Sequence, residues 1–173
     1  MVADFNTFGR VRWVTLVYRV PREPSSPRIA IWRKLKALGV AQLIDGAVAL
    51  PEDARTREHL EWIADQVLEA GGTALLLRAE TLSKADEHAL AASLAAARVE
   101  EYRRITHDAV EAAALAPGER SRALKRLRRE LRTVRRRDYF PPRDREQATL
   151  AVQTLASLAS GISSNRDRTG VSS

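Results

Sequence analysis

The chain has 173 residues, a length that indicates one domain or one domain with a helical extension. It contains no cysteine, which excludes disulfides, thiolate metal sites and cysteine nucleophiles, and its three histidines leave little for a metal centre. The net charge of +7 favours an anionic partner, such as phosphate or nucleic acid, but it does not indicate the fold. The first ten residues lack the apolar run of a signal peptide and no stretch resembles a membrane span, so we expect a cytoplasmic protein.

The first predicted elements are a strand and a helix. Residues Arg12–Val20 are rich in β-branched and aromatic side chains and are apolar on both faces, which is typical of a central strand. The helix that follows is predicted to have Ser26 as its N-cap and Pro27 as its first residue. Gly39 stands where a C-terminal cap belongs.

A hairpin, a second helix and a fourth strand complete the first part of the chain. Asp45-Gly46 separates the apolar runs Val40–Ile44 and Ala47–Leu50, which predicts a two-residue turn. The second helix is predicted to open at Pro51 and the fourth strand to cover Thr73–Arg78. The order β-α-β-β-α-β predicts an α+β, ferredoxin-like domain over residues 11–80, with another α+β sandwich or an open three-stranded sheet as alternatives. The predicted buried stripe of the second helix is Leu60, Ile63, Ala64 and Val67.

Residues 81–160 predict a helical extension of about three helices. Asp86–Leu115 is an alanine-rich helix whose apolar side is predicted to include Ala97, and Ala116-Pro117-Gly118 is predicted to break it. A basic helix lies within residues 119–137, and a last helix begins with a capping box formed by Asp144 and Gln147. Residues 1–10 and 163–173 are predicted to be flexible termini.

The basic helix holds nearly all of the excess charge. Residues 119–137 contain ten basic and two acidic side chains, a net charge of +8, so the rest of the chain carries −1. Its apolar residues recur at helical spacing and leave the other sides to arginine, which favours contact with the phosphates of a nucleic acid. An equally weighted alternative is that these arginines pair with acids of the preceding helix, such as Glu100, Glu101 and Glu111. The predicted nucleic-acid-binding residues are Arg122, Lys125, Arg126, Arg128, Arg129, Arg132, Arg135, Arg136 and Arg137.

A second basic cluster surrounds the start of the first helix. Free N–H groups and the helix dipole favour an oxyanion there. The simpler interpretation, which we favour, is that Glu23 pairs with one arginine and that the others are solvated. The predicted anion-binding residues are Arg19, Arg22, Arg28 and Arg33.

Signals for catalysis are missing. There is no glycine-rich phosphate loop and no nucleophile elbow, and the histidines are not spaced as metal ligands, so we predict no catalytic residue, no metal site and no cofactor. Trp13, Trp32 and Trp62 are predicted to be core or sheet-packing residues.

Four stretches carry a resemblance to a known family. They are WVTLVYRVPREPSSPRIAIWRKLKALGV (Trp13–Val40), RTREHLEWIADQVLEAGG (Arg55–Gly72), EEYRRI (Glu100–Ile105) and RRRDYF (Arg135–Phe140). Over roughly residues 11–158 the chain resembles the N-terminal domain of the chromate resistance protein ChrB family. The resemblance implies a cytoplasmic bacterial regulator of a chromate-resistance operon. Longer members of the family carry a second, C-terminal domain, and the resemblance does not imply the functions of that domain for this chain.

A more distant similarity is to the ferredoxin-like domain of PaaX-type regulators, which in turn resembles the CRISPR spacer-acquisition nuclease subunits. Those nucleases place an acid at the end of the first strand. The corresponding stretch, Tyr18-Arg19-Val20-Pro21, has none, so nuclease activity is not expected.

Two functions of different classes follow. The leading prediction is a DNA-binding transcriptional regulator, or an accessory subunit of one, that contacts DNA through the arginine-rich helix. The alternative is a non-enzymatic interaction module that forms a homodimer through the helical region and binds an oxyanion such as chromate. The operator sequence and the oligomeric state stay open.

Overall fold

A computed structural model describes residues 11–161. The chain divides within a long helix into two compact units, between Leu94 and Ala95, whereas the sequence predicts a boundary at residue 80. The predictions for residues 1–10 and 163–173 lie outside the described residues. The strands are β1 (Trp13–Arg19), β2 (Ala41–Ile44), β3 (Ala47–Pro51) and β4 (Thr73–Ala79). The helices are α1 (Ser25–Leu38), α2 (Ala54–Glu69), α3 (Lys84–Ala113), α4 (Pro117–Arg136) and α5 (Asp144–Gly161).

The N-terminal unit is built on a four-stranded sheet in the order β2-β3-β1-β4, so the predicted α+β class is confirmed. Every neighbouring pair of strands is antiparallel, and Val17 of β1 lies opposite Ala47 on one side and Leu75 on the other. Leu16 and Leu50 are fully buried, as the apolar spacing of β1 and β3 predicts. The predicted stripe of α2 is buried as well, so both the sheet and α2 contribute apolar side chains to the interior of this unit.

The starts of α1 and α2 differ from the prediction by a few residues. Helix α1 begins at Ser25, with extended Pro24 at the N-cap position, so Ser26 and Pro27 both lie inside the first turn. Pro51 ends β3 instead of opening α2. The cap of α2 is Asp53, which accepts from the backbone N–H of Thr56 at 2.7 Å. A side-chain oxygen at this position satisfies an N–H group that no helical carbonyl reaches.

The Asp45-Gly46 turn is confirmed, and glycine is required there. Gly46 has φ +77°, a conformation that side chains with a Cβ avoid. Its carbonyl accepts from the backbone N–H of Tyr18 at 2.7 Å. A Cβ on Gly46 would lie 2.5 Å from the carbonyl oxygen of Tyr18, so β1 and the hairpin turn approach each other closely only because this residue is glycine.

The C-terminal unit has its own core, formed by one face each of α3, α4 and α5. The predicted stripe of α4 is buried, and it meets Tyr102 and Ile105 of α3 and Val152 of α5. Helix α4 begins at Pro117 instead of after it, because a proline in the first turn has no N–H that the helix needs. The residues of the buried α4 stripe are Leu124, Leu127, Leu131 and Val134.

Two details of α3 and α5 differ from the prediction. Arg98, not the predicted Ala97, continues the buried side of α3. Asp144 is already helical and accepts from Arg103 Nε at 3.0 Å, so the predicted capping box with Gln147 is wrong. In both places the residue makes an ionic contact with a charged side chain that apolar spacing alone does not reveal.

A buried polar network joins α3 to the end of α4. Glu101 Oε1 accepts from Arg137 Nη2 at 2.7 Å, and Glu101 Oε2 lies 3.2 Å from Arg98 Nε. The Tyr102 hydroxyl donates to Asp138 Oδ2 at 2.7 Å. Burial raises the pKa of the Asp138 carboxyl; burial and the bond to Asp138 raise the pKa of Tyr102. We call these five residues the α3–α4 network; they fix where α4 ends and therefore which side of α4 faces outward.

The turn glycine gives the first prediction. Gly46→Ala should lower the free energy of unfolding by about 2 kcal/mol or more, because strain at positive φ adds to the clash with the Tyr18 carbonyl. Gly71→Ala is the matched control: Gly71 has φ +75° and open space around its Cβ position, so we expect about 1 kcal/mol. Urea denaturation measures both, and equal losses would contradict the close approach.

The α3–α4 network gives the second prediction. Arg137→Ala removes one of the two cations beside a largely buried carboxylate, and should cost about 2 kcal/mol of unfolding free energy. Arg136→Ala, at the neighbouring exposed position, should change stability by less than about 0.5 kcal/mol. Thermal denaturation of the two variants tests this, and an Arg137→Ala protein as stable as Arg136→Ala would show that the pair is dispensable.

Candidate functional site

One side of α4 carries exposed cations that no carboxylate neutralises in the described part of the chain. The buried leucines occupy the opposite side, so the packing of the C-terminal unit holds this side outward. Six of the nine predicted residues are exposed and make no ion pair with any residue in 11–161; we call them the cationic face. They span about 21 Å along the helix axis and about a third of its circumference. The cationic face is Arg122, Lys125, Arg128, Arg129, Arg132 and Arg136.

The other three predicted residues have partners within the unit. Arg126 Nη1 lies 3.2 Å from Asp108 Oδ2 and 3.3 Å from Glu130 Oε1. Arg135 donates to the Thr149 hydroxyl at 2.6 Å. Arg137 belongs to the α3–α4 network. The alternative, in which the arginines pair with acids of the same unit, therefore holds for Arg126 and Arg137, whose partners are carboxylates. It does not hold for the six residues of the cationic face.

The predicted anion-binding residues do not all line one cavity. Arg19 and Arg28 line a cleft with a volume of about 430 Å³, and Arg28 also lines, together with Arg22, an adjoining depression beside the start of α1. Arg33 lines neither of them. Glu23, the expected partner, makes no ion pair within the described part of the chain. We call the 430 Å³ space the β1–α1 cleft; its lining residues are Tyr18, Arg19, Val20, Arg28, Ile29, Trp32, Asp45 and Gly46.

Trp32 is a residue of this cleft that the sequence predicts to lie in the core. Its side chain is 54% exposed, and Trp62 on α2 is 58% exposed, so both core predictions are wrong, whereas Trp13 is buried as predicted. Ile31 and Leu35 take the core side of α1, which turns Trp32 outward. The spacing of four residues between Arg28 and Trp32 was the available signal that both lie on one exposed side.

The cleft has an excess of positive charge. Arg19 and Arg28 are exposed and have no carboxylate partner among residues 11–161, and Asp45 is the one acid in the lining. Burial, and then the charge of Asp45, raise the pKa of the Tyr18 hydroxyl, which is therefore a neutral donor at physiological pH. Lys36 Nζ lies 4.8 Å from the centroid of the Trp32 ring and adds a further cation beside the cleft.

Residues 11–161 offer neither a metal centre nor a membrane span. No group of three or more His, Cys, Asp or Glu side chains there could hold a metal ion. None of the described helices has the length and apolar character needed to cross a membrane.

Comparison with known proteins places most of the chain in one family. Residues 28–166 match the family described as Protein ChrB, N-terminal. A stretch of 75 residues is 32% identical to Protein ChrB of Cupriavidus metallidurans; it covers 43% of this chain and 23% of that protein. No solved structure matches. The residues that match the family include the cationic face and the α3–α4 network. All residues of the network except Arg98 lie in the motifs EEYRRI and RRRDYF. The chain belongs to the ChrB N-terminal family.

Proposed function

We propose that this chain is a DNA-binding transcriptional regulator, or an accessory subunit of one, for a bacterial chromate-resistance operon. The observation that carries the proposal is the cationic face: six exposed cations without acidic partners in residues 11–161, on a helix whose other side is fixed in a core. Membership of the ChrB family supports the link to chromate resistance. The protein acts in the cytoplasm and without catalysis.

The physical basis of DNA contact is electrostatic. A duplex carries one phosphate charge per about 1.7 Å of its axis, and each cation that neutralises a phosphate releases condensed counterions. Because the cationic face is not paired within the described chain, no ion pair there has to break before its residues meet phosphates. Contacts of this kind position a protein on DNA without reading bases, so the sequence preference of a regulator must come from other groups.

The N-terminal unit serves as the folded platform, and we assign it to the ferredoxin-like, split βαβ class. The support is the element order and the position of β3 between β1 and β2, with α1 and α2 as the two connections. An experimental structure that superimposes on that class would test the assignment.

The third prediction concerns binding to duplex DNA. The protein should bind a duplex from the region upstream of its own operon, with log affinity falling against log salt concentration at a slope of up to about −5 for six phosphate contacts. Arg129→Glu/Arg132→Glu should weaken binding at about 0.1 M salt at least about a hundredfold, because contacts are replaced by repulsion. Fluorescence anisotropy at several salt concentrations measures both quantities.

A control with the same change in charge makes this test specific. Arg33→Glu/Arg55→Glu alters two exposed arginines of α1 and α2, which belong to the N-terminal unit, and should retain affinity within about threefold. If both double variants lose affinity equally, net charge and not the cationic face explains binding. If the Arg129/Arg132 variant binds as well as the parent protein, α4 is not the DNA site.

A second candidate function is an interaction module that self-associates through the helical region. The observation that favours it is an apolar groove of about 510 Å³ between α3 and α5. Val110 and Leu150 both line this groove and are 63% and 64% exposed, so the groove presents apolar side chains to solvent, as interaction surfaces do. A second copy of this chain is the occupant that the function requires.

The fourth prediction tests this second function. If the groove joins two copies, Leu150→Glu should convert dimers into monomers at micromolar concentration, because a carboxylate would lie in an apolar interface. Gln153→Glu introduces the same charge at an exposed position of α5 outside the groove and should leave the dimer intact. Light scattering coupled to gel filtration gives the masses, and a parent protein that is already monomeric excludes the dimer.

A further inference from the structure

The β1–α1 cleft has a size that suits a small organic ligand. Its volume of about 430 Å³ lies within the range of about 300–1,000 Å³ of small-molecule sites. The end of β1 and the hairpin turn form one wall, held together by the bond from Tyr18 N–H to the Gly46 carbonyl. Helix α1 forms the other wall. Because all of these elements belong to the N-terminal unit, the cleft does not depend on α4.

One part of the cleft is suited to a phosphate. Arg19 and Arg28 contribute guanidinium groups with no carboxylate partner in the described chain, and a guanidinium fork binds phosphate oxygens through paired N–H donors. Arg28 lies at the end of the first turn of α1, whose N-cap residue Pro24 supplies no side-chain hydrogen bond. The N–H groups of Ser25 and Ser26, which no capping side chain satisfies, belong to the adjoining depression that shares Arg28 with the cleft, so they add to the positive potential on that side of Arg28.

Another part of the cleft is suited to a planar ring. Trp32 and Ile29 are 54% and 42% exposed, so the cleft wall presents a large apolar surface to water. Lys36 Nζ lies over one face of the Trp32 ring, so an aromatic base would stack on the opposite face, a contact that can contribute about 1–3 kcal/mol. A bare inorganic oxyanion would leave this apolar surface uncovered, so charge alone does not account for the composition of the wall.

Polar groups in the cleft could orient such a ring. Asp45 supplies a carboxylate that accepts hydrogen bonds from an exocyclic amine or a sugar hydroxyl. Tyr18 supplies a hydroxyl that keeps its proton at neutral pH and can donate. We propose that the β1–α1 cleft binds a nucleoside monophosphate, with its phosphate on Arg19 and Arg28 and its base against Trp32.

The fifth prediction uses adenosine monophosphate as the probe. Isothermal titration calorimetry at about 0.15 M salt should show saturable binding, with adenosine and inorganic phosphate each binding at least about tenfold more weakly. Trp32→Ala and Arg28→Ala should each weaken binding at least about tenfold, whereas Trp32→Phe retains a stacking ring and should lose less. Both positions are exposed, so the variants should melt within a few degrees of the parent.

Matched controls separate the cleft from other basic or aromatic surfaces. Trp62→Ala removes the exposed tryptophan of α2, and Arg33→Ala removes an exposed arginine of α1; neither lines the cleft, so both should retain affinity within about twofold. Arg129→Glu/Arg132→Glu should bind adenosine monophosphate like the parent. This independence keeps failure of the cleft distinguishable from failure of DNA binding by α4.

Three results would overturn the proposal. The first is no saturable binding of adenosine monophosphate up to several millimolar. The second is equal affinity for inorganic phosphate or chromate together with full binding by Trp32→Ala, which would make the cleft an inorganic oxyanion site. The third is loss of binding in the Arg129/Arg132 variant with retention in Arg28→Ala, which would place the nucleotide on α4.

Discussion

The carboxylate of Glu101 holds two guanidinium groups in the interior of the C-terminal unit, one from Arg98 on α3 and one from Arg137 just past α4. Removal of one partner from such a cluster leaves a poorly solvated charge, so the arrangement tolerates little change in geometry. The adjacent bond from Tyr102 to Asp138 fixes the same junction. With the end of α4 held in this way and its leucines in the core, the rotation of the helix about its axis is set, and the cationic face is its outward side.

The basic residues of α4 and its C-cap thus divide into groups with different physical roles. Arg126 and Arg137 neutralise carboxylates and contribute to folding. The six residues of the cationic face have no such partners in residues 11–161 and contribute charge to the surface. Composition alone cannot separate the groups, because an arginine that holds a helix in place and one that meets phosphate look identical in a sequence. Only the positions of the acids on α3 and α4 make the distinction.

Features that depend on local spacing could be predicted from the sequence. The Asp45-Gly46 turn and the leucine stripe of α4 follow from residue order alone, and both are confirmed. Features that depend on distant partners could not be predicted. The burial of Arg98 requires Glu101 and the end of α4, and the exposure of Trp32 follows from which side of α1 is buried, the side of Ile31 and Leu35. Of the four arginines expected to bind an anion together, the fold brings Arg19 and Arg28 into one cleft.

The unpartnered cations of α4 also bear on how this helix forms at all. Arg122, Lys125 and Arg129 stand three and four positions apart, and like charges at that spacing repel and destabilise an isolated helix. The hydrophobic contacts of Leu127 and its stripe must outweigh this repulsion. A polyanion that neutralises these charges would therefore stabilise the three-helix unit against unfolding. Binding of the polyanion and stabilisation of the fold would then be thermodynamically coupled.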